Sequence, residues 1–174
     1  RVKEAIEKFQ SFEKMPNIKK RFIGHLQSNK VKKCVEAFDT IDSIHSLKTL
    51  KKVSRECERA KKTIEILLEV NTSKEKQKKG FQPDNLKEIA ICFEVPHVNI
   101  VGLMTMAPYT KDKRAIRTSF SLLRDIKEKV NNMLGKNLIK HLSMGMSNDF
   151  EIAIEEGSTQ IRLGTVLFGS REKE

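Results

Sequence analysis

Residues 141–169 read HLSMGMSNDFEIAIEEGSTQIRLGTVLFG. Two mostly apolar runs, KHLSMG (140–145) and TQIRLG (159–164), each end in glycine, and the glycines are followed by Met146-Ser147 and by Thr165. Between them, DFEIAIEEG (149–157) spaces its apolar residues as one helical face. The pattern predicts strand, tight turn, helix, strand, tight turn. Gly145 lets the backbone turn sharply, and Ser147, Asn148 and Asp149 open the helix, so unpaired N–H groups and a hydroxyl face one spot. Gly164 and Thr165 repeat the arrangement at the end of the next strand. A phosphate held between two such turns gains about 1.5–3 kcal/mol from each charge-assisted hydrogen bond. Arg162 lies two residues before Gly164, on the same face of an extended strand. An inward guanidinium is costly unless it meets an anion or a strong acceptor. Two partners suit it: a neighbouring carboxylate, or the far end of a phosphorylated ligand.

The same alternation runs through the whole chain of 174 residues. VKEAIEKFQSFEK (2–14) places Val2, Ile6, Phe9 and Phe12 at helical spacing, with Pro16 as a stop. RFIG (21–24) predicts a strand, SNKVKKCVEAF (28–38) a helix with Ser28 and Asn29 as capping candidates, and DTIDSI (39–44) a strand. SLKTLKKVSRECERAKK (46–62) is helical and TIEILLEVN (63–71) is a β-branched, aliphatic strand. QPDNLKEIAICFE (82–94) predicts a helix, VNIVGLMTMA (98–107) a strand, and RAIRTSFSLLRDIKEKVNNMLG (114–135) a long helix stopped by Gly135. About six strands, each preceded by a helix, require a parallel sheet covered by helices. An open doubly wound sheet and a closed (β/α)8 barrel both satisfy that. No G-x-G-x-x-G follows a strand, which disfavours a dinucleotide fold. Barrel phosphate sites are built from the loops after the last two strands, where Gly145-Met146-Ser147 and Gly164-Thr165 fall.

Composition narrows the function classes. An apolar content of 38% supports one sizeable core. No run of eighteen apolar residues and no charged-then-apolar leader occurs, so the expectation is a cytoplasmic protein without a membrane anchor. Cys34, Cys57 and Cys92 are widely spaced without C-x-x-C, which predicts free, sheltered thiols rather than disulfides or a zinc site. The net charge of +11 raises nucleic acid as a partner, but the lysines are spread over every helix among glutamates, and no aromatic residues interleave with them to stack bases. Solvated helix faces are the expected reading, and no nucleic-acid partner is expected.

FIGHLQSNK (22–30), EVNTSKEKQKKGF (69–81), GLMTMAP (102–108), LSMGMSNDFEIAIEEGST (142–159) and IRLGTVLFG (161–169) together resemble the pyridoxal phosphate homeostasis protein family, in the right order over nearly the whole chain. The resemblance implies a fold-type III barrel that binds pyridoxal 5′-phosphate (PLP), an α/β (β/α)8 TIM barrel of the alanine racemase N-terminal type. It also implies a role in PLP (vitamin B6) and amino-acid homeostasis, binding and delivering the cofactor without established catalytic turnover. Carried over by motif, Met146, Ser147, Gly164 and Thr165 hold the phosphate and Arg162 approaches the pyridine nitrogen. PLP-dependent apo-enzymes are the implied recipients, and the complete protein is expected to be a monomer.

Departures from the family pattern shape further expectations. Relatives begin with a strand bearing VSK, whose lysine forms the Schiff base, and a second strand reading FGEN, and neither occurs here. Arg1 therefore reads as an internal residue, residues 1–174 as a single PLP-binding barrel domain incomplete at its N-terminus, and the strands as six of eight with the first two absent. No catalytic residue is expected within the chain, since the Schiff-base lysine is expected upstream of Arg1; Lys30, in QSNK, is a poor substitute. Six strands of an open barrel would expose two apolar sheet edges. His45 stands where relatives carry Asp and is expected on a loop surface; His25 is expected near the cofactor mouth or in a structural place. KEKQKKG (74–80) replaces a Gly/Glu/Ser-rich turn and is expected to change only surface charge. The alternatives are a fold-type III PLP enzyme of the racemase kind and a basic nucleic-acid-binding module.

Overall fold

The computed structural model describes residues 2–9, 17–75 and 77–169. Among them, six strands, β1 (Arg21–Phe22), β2 (Thr40–Ile44), β3 (Ile64–Glu69), β4 (Val98–Met104), β5 (His141–Met146) and β6 (Gln160–Arg162), form one sheet. Every pair is parallel and the spatial order β1-β2-β3-β4-β5-β6 is the chain order. A doubly wound sheet reverses direction at a switch point, whereas this one winds one way throughout, as a barrel does. A side chain measures the curl: Gln160 Nε2 of β6 donates to Asp42 Oδ2 of β2 at 2.9 Å. In a flat sheet those strands would stand about 19 Å apart, more than the two side chains can bridge. The sheet is therefore a curved partial barrel, α/β, with its concave side polar.

Among the described residues, seven α-helices connect and cover the strands: α1 (Val2–Phe9), α2 (Val31–Ala37), α3 (Leu47–Arg59), α4 (Leu86–Ile91), α5 (Lys113–Leu134), α6 (Phe150–Glu155) and α7 (Thr165–Phe168). Ser46 caps α3 by accepting from the Thr49 N–H, Asn85 caps α4 through the Glu88 N–H, and Asp112 caps α5 through the Arg114 N–H. Gly135 ends α5 in the left-handed conformation, φ 62°, as its position predicts. Ser28 and Asn29 depart from the sequence reading. They form a 3-10 turn with Lys30 ahead of α2 and supply no cap bond, because Lys30 occupies the cap position. Phe12 and Pro16 lie outside the described residues. No helix among the described residues is long and apolar enough to cross a membrane.

The core lies between the convex side of the sheet and the helices. Ile41, Ile66, Leu68, Leu103, Leu142 and Met144 of the strands pack with Val35, Leu50, Val53, Ile89, Phe120, Leu123, Ile126 and Val130 of the helices. Burying such a side chain is worth about 1.5–3 kcal/mol. Cys34, Cys57 and Cys92 are buried free thiols, as expected, and burial pushes them up to about 12, 11 and 12 respectively. Alternation sends Leu67, Glu69, Met104, Ser143, Gln160 and Arg162 to the concave side. There Gly102 is a requirement of close packing: a β-carbon on it would lie 2.3 Å from Leu67 Cδ2 and 2.4 Å from the His141 carbonyl oxygen. The edges differ from the apolar edges expected. β1 and β6 are the two shortest strands, at 2 and 3 residues, and carry Arg21, Gln160 and Arg162. Short, charged edge strands offer little template for pairing with another chain.

Candidate functional site

The C-terminal ends of the strands converge on one rim. Near the end of β5, Gly145 turns with φ +96°, and a β-carbon there would come within 2.6 Å of Ala153 Cβ in α6, so only glycine lets this turn sit on its helix. The turn delivers Ser147 to the turn after β6. Ser147 Oγ accepts from the Gly164 N–H at 3.4 Å and from the Val166 N–H at 3.3 Å. Both distances exceed the usual range for N–H···O bonds, so these are weak bonds that a charged oxygen would readily replace. Nothing lies within 4 Å of a β-carbon built on Gly164, so there is open space beside these donors. Thr165 is exposed and begins α7, a short helix absent from the sequence reading. The two turns thus meet as their sequences suggest. One detail differs: the Met146 N–H is not free, because Asp149 Oδ1 accepts from it at 2.6 Å, and the Met146 side chain is exposed. Asp149 serves this turn instead of capping α6.

Arg162 stands behind the cup. Its Nη1 donates to Ser143 Oγ at 2.8 Å and its Nη2 to the Thr105 carbonyl at 2.9 Å. It forms no direct ion pair among the described residues; strong neutral acceptors take that place. Burial pushes the guanidinium below the usual arginine value, and Asp42, Asp149 and Glu69 pull it back up. The remaining N–H groups of Arg162 have no partner among the described residues, which leaves them for an acceptor on the concave side. Asp42, fully buried, is held by Arg21 through Nε at 2.9 Å and Nη2 at 3.2 Å, and by Gln160.

One group on this rim, Glu69, was not singled out in the sequence, and others take places the sequence did not specify. Glu69, ending β3, is half-buried, and burial raises its carboxyl to about 7 against the lowering influence of Arg162 and Lys79. Its signal was a charged residue closing a mostly apolar strand, IEILLE (64–69), on the same face as Leu67. Lys79 Nζ lies 2.8 Å from His25 Nε2, and the His25 and His45 rings are 5.0 Å apart. KEKQKKG therefore does more than alter surface charge, since Lys79 meets His25. His45 also departs from expectation: it is half-buried, with Nε2 3.4 Å from Thr49 Oγ1, because the helix following β2 packs against it. Burial lowers both histidines below the usual value, with Lys79 acting in the same direction. Lys30 is exposed in its 3-10 turn. Among the described residues no cluster of three or more His, Cys, Asp or Glu could hold a metal ion.

The arrangement fits a phosphorylated, planar ligand: hydroxyl and N–H donors at one end, and a guanidinium over the interior behind them. The profile of the alanine racemase N-terminal domain matches residues 1–172. The pyridoxal phosphate homeostasis protein of Aquifex aeolicus is 37% identical over 173 residues, covering 99% of this chain and 75% of that protein. Its namesake in Synechocystis is 35% identical over 172 residues, covering 98% and 78%. Among solved structures, PipY of Synechococcus elongatus with PLP bound superposes with a TM-score of 0.88 at 32% identity, covering 97% of this chain and 79% of that one. Alanine racemase of Clostridium difficile, 16% identical with a TM-score of 0.81 over 100% of this chain and 44% of its own, shares the fold. With the alanine racemase N-terminal fold and this level of identity over nearly all its length, the chain belongs to the pyridoxal phosphate homeostasis protein family.

Proposed function

We propose that this chain binds pyridoxal 5′-phosphate and acts in PLP and amino-acid homeostasis, holding the cofactor and handing it on rather than turning over a substrate. The observation that carries the reading is the junction of the two turns through Ser147, with Arg162 on the concave face behind it. The N–H groups of Gly164 and Val166 and the hydroxyls of Ser147 and Thr165 bind the phosphate, with Met146 at the lip. Arg162 faces the pyridine nitrogen. When bound, PLP supplies an aldehyde that condenses with amines and a ring that withdraws electrons from the adduct. A guanidinium beside the ring nitrogen disfavours its protonation and so weakens that withdrawal; an acid in the same place would strengthen it. The bonds of Arg162 to Ser143 and Thr105 support this reading, since they hold the guanidinium on the concave side, where its role would suit storage over carbanion chemistry.

Residues 1–174 act in this reading as one PLP-binding barrel domain, and the lysine that links covalently to the aldehyde lies outside these residues. The complete protein works as a cytoplasmic monomer, and PLP-dependent apo-enzymes receive the cofactor. Titrating the isotope-labelled chain with PLP tests the cup directly. Amide shifts at Ser147, Gly164 and Val166 are expected, and their absence at saturating PLP would overturn the assignment. Borohydride reduction of the full-length protein with PLP, followed by peptide mapping, tests the lysine: a principal label within residues 1–174 would contradict its placement.

A further inference from the structure

The concave face carries a carboxyl group that the phosphate cup does not explain. Glu69 in β3 pairs in register with Met104 in β4, and Met104 pairs with Ser143 in β5. Arg162 of β6 reaches onto this row through its bond to Ser143. Read across four strands, the row is carboxyl, thioether, hydroxyl, guanidinium. The Glu69 carboxyl makes no hydrogen bond or ion pair with a described residue. The charges that act on it are Arg162 from β6 and Lys79 from the loop after β3, with His25 and His45 beyond Lys79. Asp42 is already engaged by Arg21 and Gln160.

At a strand spacing of about 4.8 Å, Glu69 and Ser143 stand about 10 Å apart along the row. That is room for a substituted six-membered ring, with the buried, adaptable Met104 side chain beneath it. In a pyridine of the PLP type the ring nitrogen and the carbon bearing the C4′ substituent are para to each other. With the nitrogen at Arg162, the C4′ group would lie on the far side of the ring from that guanidinium, and the row places Glu69 across from Arg162. An aldehyde oxygen only accepts hydrogen bonds and gives a carboxylate nothing. A C4′ ammonium brings both a donor and a counter-charge to a carboxyl that burial has partly stripped of water.

We propose that Glu69 reads the C4′ substituent and that the site takes the amine-bearing cofactor, pyridoxamine 5′-phosphate, as a ligand in its own right. This rests on the phosphate cup of the proposed function. The carboxylate form of Glu69 grows as pH rises through about 7, while an aliphatic ammonium keeps its charge to about pH 10. The preference for the amine therefore strengthens between pH 6 and pH 8.

The test compares pyridoxamine 5′-phosphate with pyridoxine 5′-phosphate, its C4′ alcohol, by calorimetry on the full-length protein. Neither can condense with a lysine, so a covalent link does not enter. At pH 8 the amine is expected to bind about tenfold tighter than the alcohol, the worth of one charge-assisted bond. The ratio is expected to fall at pH 6, and to approach one at both pH values in Glu69→Gln. Equal affinities in the wild-type protein, a preference for the alcohol, or a ratio unmoved by Glu69→Gln would overturn the inference and leave the cup standing. If neither compound binds and PLP does not either, the cup itself fails and takes the inference with it. The wild-type pH dependence stands independently of whether the variant folds.

Discussion

Ser147→Ala isolates the junction on which the phosphate cup depends. In the free protein Ser147 Oγ accepts two N–H groups at 3.3–3.4 Å, from donors that are themselves exposed. Removing the hydroxyl hands those N–H groups to water, so the fold should lose less than about 0.5–1 kcal/mol. With phosphate in the cup the loss is larger. The hydroxyl then donates to a charged oxygen, a bond worth about 1.5–3 kcal/mol, so Kd for PLP should rise between about tenfold and a hundredfold. Pyridoxal, which lacks the phosphate, should lose almost nothing. Calorimetric titration of both compounds, with thermal unfolding as the control, measures these quantities together. An unchanged Kd for PLP in a variant that unfolds normally would show that the phosphate is not bound between these turns. An equal loss for pyridoxal would show that Ser147 acts on the ring or on the fold.

Other expectations follow from the packing. Asp42→Ala strands Arg21 and leaves Gln160 without its cross-barrel acceptor, so urea unfolding should report a loss of about 3 kcal/mol, as for removal of one partner of a buried pair. Asp42→Asn, which keeps an acceptor for Gln160, should lose less. Gly102→Ala forces a β-carbon into Leu67 and the His141 backbone and should cost at least about 2 kcal/mol by the same measurement. For Glu69 the folded protein holds its proton up to about pH 7, while the unfolded chain releases it near the ordinary value of 4.5. Folding stability therefore falls as pH rises from about 4.5 to 7, by on the order of 2–3 kcal/mol from this group, and Glu69→Gln should flatten that window. A pH profile identical in wild-type and variant would disprove the burial of this carboxyl.

How far the sequence could be read depended on whether the deciding physics was local. Gly145, Gly135 and the run 141–169 were legible because a turn with positive φ and a strand-to-helix change of period leave marks within a few residues. Six strands in alternation with helices followed from the same periodicity. Hydrogen-bond partners did not. That Ser147 accepts from the opposite turn, that Asp149 takes the Met146 N–H, and that Arg162 rests on Ser143 and Thr105 are set by register between strands. α7 was missed because four residues after Gly164 are too few to display a period. His45 was misplaced for a related reason: its shelter comes from α3 and from His25, a residue twenty positions earlier in the chain.

The concave face explains why these non-local features belong together. Had stability alone shaped it, a barrel interior would hold branched apolar side chains in layers, and among the described residues of this face Leu67 and Met104 come nearest to that. Arg21, Asp42, Glu69, Ser143, Gln160 and Arg162 fill the rest of the row and its neighbours. Charges withdrawn from water in this way seldom repay their desolvation through each other. The distribution is also uneven. Asp42 is satisfied three times over by Arg21 and Gln160, while among the described residues the Glu69 carboxyl has no hydrogen-bond partner and Arg162 keeps donors unspent. A purely structural network would be expected to close on itself. This one closes at the Asp42 end, where β1, β2 and β6 must be held to a fixed curvature, and stays open towards the rim where the cup lies. That open end is where a polar ligand would supply the missing partners.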